Sequence, residues 1–230
     1  MRRLGRLLLA RLLLPLALLA QAPPPGVGAH DARRIVDAQA PPWDALARLQ
    51  VPGTARCTAV LIAPRLALTA AHCLWSAHLQ RYVPPDMIHV LTRYRRGAFA
   101  GHALAVATRI DRGLDVAEVT LAAPLGTDLL GFAPPPAPGT PAMLGGYNQD
   151  RVELIEADTG CHVIADDGVR LRHDCEGTHG TSGAPLLVHG ADGAWRIAGL
   201  QVAAFLHAAG GIAVSAASLR AWLAEPGASP

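Results

Sequence analysis

The stretch His179-Gly180-Thr181-Ser182-Gly183-Ala184-Pro185, followed by the apolar run Leu186-Leu187-Val188, sets a serine between glycines at the head of a strand-like segment. Small neighbours leave the hydroxyl uncrowded and let backbone N–H groups converge on one point, as an oxyanion hole requires. A glycine-flanked serine turn of this kind is by itself an ordinary loop. What gives it meaning lies far upstream: Leu68-Thr69-Ala70-Ala71-His72-Cys73 ends an apolar run on a histidine, the base such a serine needs. Between the two, Gly113-Leu114-Asp115 heads the segment Val116–Leu121, which stops before Pro124. Taken singly, Asp115 is a turn aspartate; at a strand entrance, backbone N–H groups can hold it ionised. The order is His72, Asp115, Ser182: a base, a carboxylate that fixes its tautomer, and a nucleophile too weak to act without them.

Around these residues the chain is written in short apolar segments: Leu46–Val51, Cys57–Ile62, Leu66–Ala71, Ile88–Tyr94, Ala103–Ile110 and Val116–Leu121. Pro52-Gly53, Pro64, Pro84-Pro85 and Arg95-Arg96-Gly97 punctuate them. The proline-rich connector Ala133–Pro141 is stiff, and a boundary between halves is expected across residues 126–141. The second half continues with Met143–Tyr147, Val152–Ala157, Cys161–Ala165, Val169–Arg172, Pro185–Val188, Trp195–Ala203 and Ile212–Val214. Asp166-Asp167-Gly168 and Asp192-Gly193 signal hairpin turns. Helical periodicity is confined to Ala216–Glu225, where Leu219, Trp222 and Leu223 share a face behind a Ser215 cap. This spacing predicts an all-β barrel or sandwich closed by a C-terminal helix. The 230 residues, 51% hydrophobic, suffice for one large or two small domains. With a net charge of +2 and no basic run beyond the N-terminus, no nucleic-acid partner is expected.

Arg2, Arg3 and Arg6 precede the apolar segment Leu7–Ala20, which Arg11 and Pro15 interrupt. It is shorter than the ~20 residues of a membrane span and reads as part of a signal peptide covering residues 1–29. Val27-Gly28-Ala29 is the expected cleavage site and Ala20-Gln21-Ala22 the alternative. No membrane association is expected after cleavage. Residues 30–34 are then a short propeptide ending at Arg33-Arg34, or an exposed basic linker. Export of this kind would make Cys57, Cys73, Cys161 and Cys175 candidates for two disulfides. Three pairings are open; the sequence-local one, Cys57–Cys73 with Cys161–Cys175, puts a bridge in each half. The spacings lack a paired C-x-x-C, so no metal is expected, and no cofactor either.

Together these stretches resemble the trypsin/chymotrypsin-like serine peptidases, and more closely their bacterial exported branch near the glutamyl endopeptidases. Thr69-Ala70-Ala71-His72-Cys73 matches the family's histidine motif; Asp115-Val116-Ala117, with Leu121 and Pro124, resembles the aspartate motif. Gly180–Pro185 resembles the serine motif, Ile35-Val36 the mature N-terminus, and Gly199-Leu200-Gln201 the strand that binds substrate backbone. The resemblance spans about residues 35–224. It implies two antiparallel β-barrels, 35–125 with His72 and Asp115, and 126–230 with the linker, Ser182 and the closing helix. It implies Cys57–Cys73 as the bridge beside the histidine and the N–H groups of Gly180 and Ser182 as the oxyanion hole. The implied activity is that of a monomeric exported endopeptidase working through an acyl-enzyme on protein or peptide. A non-catalytic peptide- or partner-binding protein of the same fold, or an esterase, would use the same frame.

Several positions depart from the pattern. Thr181 stands where trypsin has an aspartate that receives a freed N-terminus, which weakens Arg34–Ile35 as an activation switch. Ala184 replaces a glycine, and Gln201 stands where glutamyl endopeptidases carry a specificity histidine. Glu176, six residues before Ser182, falls near trypsin's acidic pocket base and would select Lys or Arg. His179 reads as a surface residue beside the loop.

Overall fold

The computed structural model describes residues 22–126 and 129–225. The first half closes into a six-stranded antiparallel barrel of β1 Leu46–Val51, β2 Ala55–Ala63, β3 Leu66–Ala70, β4 His89–Thr92, β5 Gly101–Asp111 and β6 Val116–Leu121. Around the ring the order is β1-β2-β3-β6-β5-β4. The second half contributes β7 Pro141–Gly146, β8 Glu156–Asp166, β9 Arg170–His173, β10 Pro185–His189, β11 Trp195–Ala204 and β12 Gly211–Ser215. Its ring runs β8-β7-β10-β11-β12-β9 and closes by pairing of β9 with β8. The short strand Arg34–Ile35 pairs with the Glu156–Ala157 end of β8, which β9 does not reach, and Gly131–Phe132 runs parallel to β11. The two-barrel architecture implied by the resemblance is therefore present, followed by α1, Ala216–Ala224.

Alternation is hard to read in β1–β3 because both faces are buried. Ala47, Leu49, Ala59 and Leu61 fill the first barrel. Their neighbours Leu46, Val60 and Leu68 point the other way, into a layer shared with Met143, Leu187, Leu200, Leu219 and Trp222. A third cluster, including Leu144, Val163, Leu171 and Leu186, fills the second barrel. The shared layer seats the barrels on each other, each fully buried leucine contributing ~2 kcal/mol. At α1, the Ser218 N–H donates to Ser215 Oγ (3.2 Å) as the cap requires.

Both disulfides are the sequence-local ones. Cys57–Cys73 ties β2 to the 3₁₀ turn Ala71–Leu74, which carries His72; Cys161–Cys175 ties β8 to the loop after β9. In the chain-entropy account, loops of this size each add ~3 kcal/mol. One boundary differs from expectation. Val152–Ala157 and Cys161–Ala165 are not two strands: β8 runs from Glu156 through Gly160 to Asp166, and Val152–Leu154 turn. Asp158 Oδ1 accepts the Gly160 N–H, and an irregularity opposite, between Ala142 and Leu144, absorbs the register change.

Residues 1–21, most of the expected leader, lie outside the described residues. The segment after them is laid onto the second barrel. The Gly26 N–H donates to Phe205 O, and Gly26 O accepts from the N–H groups of Gly177 and Gly210. Val27 is buried. Arg33 ends the segment buried among Asp31, Asp150 and Glu156.

Candidate active site

Strand register brings the first two site residues together. β3 and β6 pair so that Ala70 faces Val116, and His72 and Asp115 lie just beyond those paired ends. The Ala71 N–H donates to Asp115 O (3.0 Å), the His72 backbone N–H to Asp115 Oδ1 (2.9 Å), and His72 Nδ1 lies 2.7 Å from Asp115 Oδ2. Asp115 adopts φ +60°, a left-handed conformation that Asp tolerates better than most residues. An ionised carboxylate only accepts, so Nδ1 carries the proton and Nε2 is bare, the tautomer of a general base.

The serine loop is held by the other barrel through a residue that no motif marks. Thr58, buried on β2 beside Cys57, donates its hydroxyl to Gly180 O (2.9 Å) and accepts the Tyr147 N–H (2.9 Å). Its N–H donates to Ser182 O (3.0 Å), and its own O accepts from Thr69 Oγ1 (2.8 Å). Gly180 has φ +94°, and a Cβ there would lie 2.2 Å from Tyr147 O. Gly183 has φ +83°, and a Cβ there would lie 2.2 Å from Thr58 O. The glycines on either side of the Thr181-Ser182 pair are thus required by close backbone approach. Ser182 and His72 together line two recesses, one of about 590 Å³ with Pro52, Arg56 and Gln149, the other of about 260 Å³.

Two peptide planes beside Ser182 are clamped from behind. His179 O accepts the Gln149 N–H (2.6 Å), and Thr181 O accepts the Ala184 N–H (2.8 Å). In a trans peptide the N–H points opposite to the C=O. The N–H groups of Gly180 and Ser182 therefore face the other way, and among the described residues neither donates a hydrogen bond. Thr181 is buried and its hydroxyl donates to Thr178 O (2.6 Å), so this position offers no charge to a new N-terminus. Exposed His179 sits at the mouth of both recesses.

The smaller recess is walled by Pro25, Thr178, Gln201, Ala203, Ala204 and Leu206 as well as the serine loop. Gln201, proposed from sequence as a substrate contact, belongs to it; Glu176 does not. Glu176 is buried and faces the N-terminal segment, its Oε1 accepting the Gly28 N–H (2.8 Å) and its Oε2 the Ala32 N–H (2.7 Å). With both oxygens engaged there, it is not placed to select a substrate cation. Behind the recess lies His173, fully buried, with Nε2 2.7 Å from Gln201 Oε1; Gln201 Nε2 donates to Ala203 O (2.9 Å). Burial pulls the His173 pKa below its ordinary value, with the Gln201 hydrogen bond opposing, so the ring is neutral. No motif marks His173, a strand residue.

Cys57, His72 and Cys73 are grouped closely enough to suggest a metal, but the two sulfurs are bonded to each other. Among the described residues no helix is long and apolar enough to cross a membrane. Comparison with curated proteins finds no match. A solved structure of a Glu endopeptidase in complex with MPD is similar in fold, with a TM-score of 0.73 over 85% of this chain and 96% of that one, at 19% identity. A family model described as a trypsin-like peptidase domain matches residues 57–199, from the bridge beside His72 through Ser182 into β11. The chain belongs to the trypsin-like peptidase family.

Proposed function

We propose that the chain is an exported serine endopeptidase that cleaves peptide bonds through an acyl-enzyme. Ser182 Oγ attacks the carbonyl while His72 Nε2 takes its proton; the same imidazolium then protonates the leaving amine. Water reverses the sequence to release the acid. Asp115 holds the ring in its productive tautomer and stabilises the imidazolium. The N–H groups of Gly180 and Ser182 receive the oxyanion, each worth ~3 kcal/mol of barrier. One observation carries the proposal: Asp115 holds both the backbone N–H and the Nδ1 of His72 on the recess that Ser182 also lines. A binding protein of this fold has no need of that arrangement.

Purified, disulfide-intact protein is expected to take one fluorophosphonate adduct on Ser182, lost in His72→Ala. Absence of an adduct on folded protein defeats the proposal. Faster turnover of matched peptides than of esters, relative to uncatalysed rates, separates a peptidase from an esterase.

The two disulfides suit an oxidising compartment. We place the end of the leader at or before Pro24 rather than at Ala29, because a cut after Ala29 discards the bonds of Gly26 and Gly28 and the buried Val27. Intact mass of the secreted protein decides between the two sites.

A further inference from the structure

Within the peptidase reading, on which this inference rests, the cleft has two sides, and β11 tells them apart. Pairing of β10 with β11 ends at Pro185 and Leu200, and the N–H and O of Gln201 are bonded to Ala184 O and the Gly183 N–H of the serine loop. Past Gln201, residues 203 and 204 keep β12 on one side and, among the described residues, no strand on the other. That open edge lies beside the recess of about 260 Å³, and an extended substrate adds there as one more strand. A chain entering along it passes Ser182 and His72 and leaves through the recess of about 590 Å³, which the same two residues line.

The larger recess is one-sided in charge. No Asp, Glu or Lys lines it; Arg56 does, and His72 and His179 add only positive charge when protonated. Arg56 is exposed and, among the described residues, makes no hydrogen bond or ion pair. The acids next to the lining are engaged elsewhere. Asp150 accepts from Arg33 Nη1 (3.1 Å) and Nη2 (2.7 Å). Glu153, which feels the Arg56 charge, accepts from Tyr94 OH (2.6 Å) and Arg48 Nη1 (3.3 Å). Arg56 lies opposite Gln50 of β1 and two residues before Thr58, on the same face of β2. It is thus ~7 Å along the strand from the residue that holds Gly180 O, about two residues of extended chain.

We infer that the larger recess takes the residues that follow the cleaved bond and selects an acidic side chain, Asp or Glu, at the first or second of them, with Arg56 as the specificity residue. The planar guanidinium matches a carboxylate with two parallel N–H donors, and a Lys or Arg side chain in the same place is repelled. The recess is open, so the pair stays hydrated and the selectivity is that of an exposed ion pair rather than a buried one.

The test uses internally quenched peptides with amidated C-termini, built on a sequence the enzyme is first found to cleave. They carry Glu, Gln or Lys at the first or second position after the bond and are read as kcat/KM. Fluorophosphonate labelling of Ser182 runs in parallel as a measure of the catalytic machinery. At one of the two positions Glu is expected to exceed Gln by about threefold and Lys by about tenfold at low salt, and both ratios to shrink toward one at about 0.5 M NaCl. Arg56→Glu is expected to invert the order, with Lys ahead of Glu; ratios taken within each protein cancel any general loss of activity. A labelled enzyme whose rates for Glu, Gln and Lys agree within about twofold at both positions, or whose preference survives Arg56→Glu, overturns the inference and leaves the peptidase reading standing. An unlabelled, inactive protein overturns that reading and this inference with it. Should Arg56→Glu fail to fold, Arg56→Gln, expected to bring the Glu-to-Gln ratio to about one, decides in its place.

Discussion

Asp115→Asn separates an orienting role from a structural one, because the backbone can keep its shape while the hydrogen bonds cannot. Asn tolerates the φ of +60° at this position, so the turn into β6 is expected to survive. The carboxylate now accepts twice, from the His72 backbone N–H at 2.9 Å and at 2.7 Å from Nδ1. An amide has one oxygen. The backbone N–H has no other tautomer, so the oxygen turns to it and the amide NH₂ faces Nδ1. His72 then protonates at Nε2, the wrong nitrogen for a base. Recovering the productive tautomer means flipping the amide so that two N–H donors face each other, at ~1–3 kcal/mol. Losing the charge-assisted bond to the imidazolium removes ~2–3 kcal/mol more from the transition state. The sum, ~3–6 kcal/mol, corresponds to a fall of about 10²–10⁴ in kcat, and triads of this kind fall near the upper end. The assay is kcat on the best peptide substrate beside the thermal midpoint, with little change expected in the midpoint. A variant with kcat within about tenfold of wild type refutes the assignment of Asp115 as the residue that sets the tautomer.

Three further outcomes follow from the same contacts. Thr58→Val removes the hydroxyl between Gly180 O and the Tyr147 N–H, and is expected to cost ~2 kcal/mol of stability and slow Ser182 labelling about tenfold; wild-type labelling would show that the loop needs no staple from the first barrel. Arg33→Met leaves the buried Glu156 and the Asp31 and Asp150 carboxylates without the guanidinium among them, and is expected to cost ~3 kcal/mol in chemical denaturation; a change under ~1 kcal/mol would mean residues 22–33 are not integral to the barrel. Burial depresses the His173 pKa below 6.5, so the unfolded chain takes up the proton first; stability present above that pH is lost as pH falls below it. The thermal midpoint is expected to drop from pH 7 to pH 5 and to drop less in His173→Gln; equal slopes in the two proteins would contradict this.

What could be read from the chain was the chemistry carried by local surroundings. His72 announces itself because strand, turn and bridge lie within a few residues of it, and Ser182 because its glycines are needed for close backbone approach. The apolar runs of β1–β3 showed strands without showing which face was which, since one face fills a barrel and the other the layer between barrels. Thr58 carries no local sequence signal because the loop it holds lies 122 positions away, at Gly180. Glu176 shows the limit most clearly. Counting back from Ser182 says where its backbone runs, and the recess is indeed built from its neighbours Thr178 and Thr181. The direction of a carboxylate is decided by donors, and those of Glu176 are Gly28 and Ala32, 148 and 144 positions away in a segment that reads as the end of a leader and a propeptide. A buried acid near a nucleophile is therefore a specificity group only if the rest of the chain leaves its oxygens free, and here the N-terminal segment does not.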